Sequence, residues 1–220
     1  MSDQVSHKSD DTLKFIALLT MLIDHIGYLL FPQHFILRVI GRLSFPIFAY
    51  LLARGARRTS NPKRYAFRLF TFALISQIPY NLFTNNSWYS LLDPNIFFTL
   101  LAGLLMLLCL RHEHWGVKMI SVLIAFCVVP LNLSYSYYGL LLILTFYMFD
   151  KKPLMIIVSF LLATCQYYIQ FSNPYQFYAL PVLLIIFYLP PLGIRVPKWL
   201  GYGFYPTHLL ILFAIYRLWF

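Results

Sequence analysis

The stretch LKFIALLTMLIDHIGYLLF, Leu13 to Phe31, decides the fold. It is apolar for long enough to cross a bilayer, which takes about 20 helical residues. Backbone polar groups find no water in lipid, so such a run is read as a helix that satisfies them internally. Inside it stand an acid and an imidazole side by side, Asp24 and His25. An acid at such depth costs about 2.5–3.5 kcal/mol on insertion scales, so it faces a bundle interior or a wet cavity. The run is too long for a signal-peptide core and has no small-residue cleavage site, so it is read as a span.

The rest of the chain follows the same pattern. Of 220 residues, 60% are apolar and 11% charged, too little polar surface for a soluble domain of this size. Apolar runs predict about nine helices, roughly 12–32, 34–55, 62–84, 95–111, 115–131, 137–150, 153–171, 175–191 and 199–219. The sixth is short and Pro181 interrupts the eighth. Turn-forming stretches such as TSNP, LLDPN, DKKP and LPPLG separate them. The expected architecture is an all-α, polytopic transmembrane bundle forming one domain, 12–220. A polar tail, 1–11, precedes it and is expected to be mobile. No internal repeat supports an inverted-repeat transporter. Cys109, Cys127 and Cys165 lie apart in apolar runs, which reads as packing and implies neither a disulfide framework nor a metal site.

Charge gives orientation. The connection after the second helix, ARGARRTSNPKRYAFR, carries Arg54, Arg57, Arg58, Lys63, Arg64 and Arg68. Later alternate connections carry Arg111 and Lys118, Lys151 and Lys152, and Arg195 and Lys198. The connections around Pro32, Asn85–Asn95, Asn132–Tyr137 and Ser172–Gln176 carry no Lys or Arg. Positive connections stay in the cytoplasm, which predicts a cytoplasmic N-terminus. The net charge of +10 is then mostly topology and does not call for nucleic acid.

The same orientation sets depths. His25 lies thirteen residues into the first helix, roughly 20 Å at 1.5 Å per residue. Arg42, entering from the other side on the second helix, reaches roughly 12 Å in. Asp24, His25 and Arg42 therefore share a level, with Arg38 one turn away on the same face as Arg42. Gln77 on the third helix reaches a comparable level, and His208 sits near mid-depth after Pro206. Asp24 can simply neutralise Arg38 or Arg42, since buried charges pair. His25 can be a hydrogen-bonded core residue. Adjacent on a helix, Asp24 and His25 point about 100° apart, so each is expected to have its own partner. The glycines of GYGFYPTHLLIL read as close-packing sites rather than a phosphate loop. Arg64 and Arg68, one turn apart, are either topology signal or a guanidinium pair suited to phosphate.

The stretches LKFIALLTMLIDHIG, IGRLSFPIFAYLLARG, RYAFRLFTFALISQIPYNL, NIFFTLLAG and FYPTHLLIL resemble successive signatures of the TraX family. The likeness runs from Asp11 to about Leu212 and is loose between about Leu104 and Pro197. It carries over Lys14, Asp24, His25, Gly41, Arg42, Phe45, Pro46, Arg68, Gln77, Pro79, Asn95, Tyr205, Pro206 and His208 as motif positions. The founding activity of that family is N-acetylation of F-type pilin, and the family is similar to multi-pass membrane acyltransferases. The resemblance implies a bacterial cytoplasmic-membrane acyltransferase that moves an acyl group, acetyl in the first instance, from cytosolic acetyl-CoA or another acyl-CoA. The acceptor is a pilin-like peptide amine or a glycan or lipid hydroxyl or amine.

Acyl transfer needs a base for the acceptor proton and a donor for the oxyanion on the carbonyl. The expected catalytic residues are His25, Asp24, Arg42 and His208. Arg64, Arg68, Lys14 and Tyr205 are expected to bind the acyl-CoA, and Arg38, Gln77, Asn81 and Asn95 the acceptor. The competing reading is a proton-coupled small-molecule transporter with Asp24 and His25 as its relay. A structural membrane partner with internal ion pairs is a third.

Overall fold

The computed structural model describes residues 2–85, 93–150 and 152–219. They form helices α1 (Ser2–Leu29), α2 (Phe35–Gly41), α3 (Ser44–Arg58), α4 (Pro62–Asn85), α5 (Ile96–Arg111) and α6 (Trp115–Cys127). After these come α7 (Ser136–Met148), α8 (Pro153–Phe171), a 3₁₀ turn (Pro174–Ala179), α9 (Val182–Tyr188) and α10 (Lys198–Trp219). No strand occurs among the described residues. The expected all-α bundle is what forms. Three stretches, Asp10–Leu29, Phe35–Arg58 and Pro153–Phe171, are long and apolar enough to cross a membrane. The chain is built as a membrane protein.

Two boundaries differ from the sequence reading, each for a local reason. Helix α1 begins at Ser2, so the polar segment expected as a separate tail forms the first turns of that helix. Asp10 anchors it by ion pairs to Arg54 at 2.7 Å and Arg58 at 2.9 Å. The second predicted helix is broken at Arg42 and Leu43, between α2 and α3. Pro46, in the first turn of α3, has no N–H to offer the carbonyl of Arg42, so the ladder stops there. The interruption expected at Pro181 separates the 3₁₀ turn from α9.

Helix α1 packs against α2, α3 and α10, while α4 packs against α5 and α10. Helices α3, α5 and α7 join the two halves, α6 lies on α5, and α8 lies on α7. The contact of α1 with α2 is close because two glycines line it. A Cβ on Gly41 would fall 2.1 Å from Asp24 Oδ1, and one on Gly27 would fall 2.6 Å from Leu37 Cβ.

Hydrogen bonds sort the connections onto two ends. At one end Arg58 holds Asp10, Arg57 donates to the carbonyls of Phe146 and Tyr147, and Arg111 donates to the Ala56 carbonyl. The Leu192 N–H donates to Thr12 Oγ1 there at 3.0 Å. The start of α1 and the ends of α3, α5 and α7 are thus gathered together, as the alternating basic connections require. Part of the basic charge is spent on the last carbonyls of α3 and α7, which helices leave unpaired. At the other end Ser134 donates to the Pro94 carbonyl, Gln170 to Ser136, and Phe35 lies against Tyr175 and Tyr178. Lys151, and residues 86–92 of the connection without Lys or Arg that follows α4, lie outside the described residues.

Candidate active site

Asp24 and His25 leave α1 in different directions, and each has its own partners. Asp24 is buried and accepts from both arginines of α2 and its exit. Arg38 Nη1 is 2.8 Å from Oδ2, and Arg42 Nη2 is 2.7 Å from Oδ1. Arg38 also donates to the Asp24 carbonyl at 3.2 Å. The absent side chain of Gly41 leaves the room this carboxylate occupies. One carboxylate against two guanidiniums leaves one positive charge in excess, in a place where little water screens it.

His25 pairs across the bundle with His208 of α10: Nδ1 of His25 is 2.7 Å from Nε2 of His208. His208 Nδ1 lies 2.6 Å from the Phe204 carbonyl oxygen, which only accepts. The proton of neutral His208 is therefore on Nδ1, and its Nε2 is an acceptor. His25 must then donate from Nδ1, which leaves His25 Nε2 unprotonated. The chain Phe204 carbonyl, His208, His25 thus fixes one tautomer and bares one basic nitrogen. The rings of Phe83, Tyr205 and His208 surround His25 with centroids at 5.1, 6.1 and 4.9 Å.

A cavity of about 360 Å³ opens at the basic end and extends inward to Tyr205, whose ring centroid is 6.1 Å from that of His25. Its mouth carries Lys14, Arg58 and Arg68, its walls are apolar, and Tyr205 lines its depth. Lys14, Arg68 and Tyr205 are three of the four residues expected to bind a co-substrate. The fourth, Arg64, points to the outside and does not line the cavity. Arg68 Nε is buried with no hydrogen-bond partner. The Arg68 guanidinium lies over the Tyr65 ring, 5.6 Å from its centroid. Arg58, Tyr65 and Tyr202 also line the cavity, and the sequence reading did not assign them. Their signal was spacing: Tyr65 precedes Arg68 by three residues on α4, and Tyr202 precedes Tyr205 by three on α10. Gly201 and Gly203 are not close-packing sites, since a Cβ on either meets nothing within 4 Å. Gly201 instead keeps the cavity wall open.

Of the residues expected to meet an acceptor, Arg38 is held by Asp24, and Gln77, Asn81 and Asn95 are occupied with one another. Gln77 Nε2 donates to Asn81 Oδ1 and to the Asp93 carbonyl, and Gln77 Oε1 accepts from the backbone and side-chain N–H groups of Asn95. Asn95 donates further to the Ala73 carbonyl and caps α5 by accepting from Phe97 N–H. This network ties α4 to the start of α5, and Gln77 keeps no free hydrogen-bonding position. Of the residues expected to be catalytic, Asp24, His25, Arg42 and His208, none lines this cavity itself. Among the described residues no cluster of His, Cys, Asp or Glu is arranged to hold a metal.

The chain is 26% identical over 231 residues to the "Probable fimbrial assembly protein FimC, serogroup H1" of Dichelobacter nodosus, covering 91% of this chain and 92% of that protein. It is 33% identical over 93 residues to the "Uncharacterized protein RP591" of Rickettsia prowazekii (strain Madrid E), covering 42% of this chain and 34% of that protein. No solved structure matches. The TraX protein family matches over residues 9–216, which takes in Asp24, His25, Arg42, Arg68 and His208, and the chain belongs to that family.

Proposed function

We propose that this protein is a membrane acyltransferase that moves an acetyl or similar acyl group from cytosolic acyl-CoA to an acceptor reached from the opposite side. The observation that carries this reading is the cavity, basic at its mouth, apolar within, and lined by Tyr205, whose ring lies 6.1 Å from that of His25 with its bared nitrogen. Phosphates of the donor suit Arg58, Arg68 and Lys14, because guanidinium and ammonium groups make charge-assisted hydrogen bonds to them. The unpartnered Arg68 Nε is a donor that such an anion satisfies. The apolar walls suit the thin pantetheine arm, and Tyr205 marks the depth the thioester reaches. The basic end faces the cytoplasm in this reading, by the distribution of Lys and Arg, and the membrane is the bacterial cytoplasmic one.

Each residue then has a task. His25 Nε2 takes the acceptor proton as the nucleophile attacks the acyl carbon. His208 holds the ring of His25 in position and its proton on Nδ1, and the Phe204 carbonyl holds His208 in turn. The excess charge of Arg38 and Arg42 over Asp24 favours the oxyanion at short range without touching it. Tyr205 has a backbone hydrogen bond with Ile96, which fixes the phenol at the cavity's inner end. The assembly of fimbriae named for the Dichelobacter relative is consistent with an acceptor outside the cytoplasm.

Purified protein with radiolabelled acetyl-CoA tests this. Label should appear on a peptide, glycan or lipid acceptor in a membrane extract, with stoichiometric release of CoA. Proton-coupled uptake into liposomes without any CoA release would establish the transporter reading in its place.

A further inference from the structure

Acyl transfer needs a donor in contact with the developing oxyanion, and Arg38 and Arg42 act on it without touching it. The length of the basic-end cavity locates that oxygen. On α3, Arg58 at the mouth and Phe48 at the far end both line it, ten residues apart, or roughly 15 Å along the helix. On α1, Asp10 and Met21 both line it, eleven residues apart, or roughly 16 Å. The arm of a CoA thioester, with about thirteen bonds from phosphorus to sulfur, reaches about 15 Å at the extended-chain advance of roughly 3.5 Å per three bonds. With its phosphates at the mouth, the thioester therefore arrives among Met21, Phe48, Ile96 and Tyr205.

Of these four side chains only that of Tyr205 has a hydrogen to donate. It is buried, with 4% of its surface exposed. Tyr202, one turn nearer the mouth, is already hydrogen-bonded to Arg68. The Tyr205 hydroxyl has a hydrogen bond with the backbone of Ile96. Ile96 is the first residue of α5, and the first N–H groups of a helix have no carbonyl to bond within it. The Ile96 N–H is thus the donor and Tyr205 Oη the acceptor. A tyrosine hydroxyl that accepts still has its own proton to give. Among the described residues nothing accepts that proton.

The ring is held at the boundary between the cavity and the buried histidines. Phe97 meets it edge-on, with centroids 5.4 Å apart. Its centroid is 6.1 Å from that of His25 and 5.8 Å from that of His208. Neither histidine lines the cavity. Tyr205 lines it and also packs against both histidines, so it joins the place where the thioester arrives to the place where a base stands.

We infer that Tyr205 is a catalytic residue of the proposed acyl transfer: its O–H donates to the thioester carbonyl oxygen and holds the oxyanion that forms there. The inference rests on the acyl-transfer reading. As the acceptor nucleophile adds to the acyl carbon, the carbonyl electron pair moves onto oxygen and His25 Nε2 takes the nucleophile's proton. The pair then returns, the carbon–sulfur bond breaks, and the thiolate takes the proton from His25, so CoA leaves as a thiol. Tyr205 keeps its proton throughout. Its hydrogen bond strengthens as charge builds on the oxygen, and an interaction that is stronger in the transition state raises kcat.

The test reads the carbonyl itself. Acetyl-CoA isotopically labelled at the carbonyl carbon is bound to the detergent-solubilised protein, and its carbonyl stretch is recorded by infrared difference spectroscopy. A hydrogen bond weakens the C=O bond and lowers this band, whereas an apolar wall without a donor raises it above its position in water. The band should lie at or below its water position in the wild type. It should lie above that position in Tyr205→Phe, which keeps the ring and its contact with Phe97. Tyr205→Phe should also lower kcat by roughly 10²–10³-fold, as loss of one oxyanion donor does, with KM and Kd for acetyl-CoA little changed.

A band above its water position in the wild type overturns the inference, and that result needs no variant to fold. So does a band that Tyr205→Phe leaves in place, or a folded variant that keeps its kcat. A rise in KM alone overturns it too, since Tyr205 would then only bind the donor. CoA release together with a raised wild-type band leaves acyl transfer standing without Tyr205. A lowered band in protein that never releases CoA leaves the carbonyl contact standing and refutes transfer instead. Absence of any bound band overturns both.

Discussion

Replacing Asp24 should damage this protein more than replacing either arginine it holds. Asp24→Asn removes the charge from an acceptor of two short bonds, at 2.7 and 2.8 Å. It leaves two buried or half-buried guanidiniums facing a neutral amide. Breaking a buried pair in this way costs about 3–5 kcal/mol, because the uncompensated charge remains. Arg42→Ala leaves Asp24 and Arg38 as a neutral pair. It forfeits one charge-assisted hydrogen bond, worth about 1.5–3 kcal/mol. The double variant Asp24→Asn, Arg42→Ala then leaves a single guanidinium and should be no less stable than Asp24→Asn alone. The assay is equilibrium unfolding of the detergent-solubilised protein, followed by circular dichroism, for all four forms. Destabilisation of the double variant equal to the sum of the two single losses would show no coupling and refute the clamp. If folded Arg42→Ala also keeps full turnover, the excess positive charge has no part in catalysis.

Other outcomes follow from the same geometry. His25→Gln, which keeps a hydrogen bond but cannot take a proton at neutral pH, should lower kcat by roughly 10²-fold or more while acetyl-CoA still binds; near-normal turnover removes His25 from the mechanism. Arg68→Ala should raise KM for acetyl-CoA, more so at high salt, whereas Arg64→Ala should leave KM unchanged, because only Arg68 lines the cavity. Equal effects would show that both act through general surface charge. Gly41→Ala should destabilise the protein by about 1–3 kcal/mol in the same unfolding assay, since the new methyl overlaps Asp24; an unchanged midpoint would mean that α1 and α2 are not in close contact. A cysteine introduced at Ser172 should react with a membrane-impermeant reagent added outside, and one at Ser60 only after the membrane is opened; the reverse pattern inverts the proposed orientation.

The sequence by itself determined the helical bundle, because apolar runs in lipid have no alternative way to satisfy their backbones. It also determined that Asp24, His25 and the two arginines share a level, since depth along a helix depends only on residue count. The tertiary structure decided which side chains meet at that level. His25 and His208 are 183 residues apart in the chain, and nothing local makes one the partner of the other. Rotation of each helix about its axis settled the match, and packing against neighbours sets that rotation. The same cause put Arg68 in the cavity and Arg64 outside it, although the two are one turn apart. Gln77, Asn81 and Asn95 looked available for an acceptor because their residue types suit one. Only the approach of α4 to α5 showed that they bond to each other and to the backbone. A cavity of about 320 Å³ between the starts of α5 and α7 and the end of α8 had no sequence signal either, because these helices enclose it only after they pack, and the left-handed residues of its loop, Asn132, Tyr135 and Ser136, are not glycines.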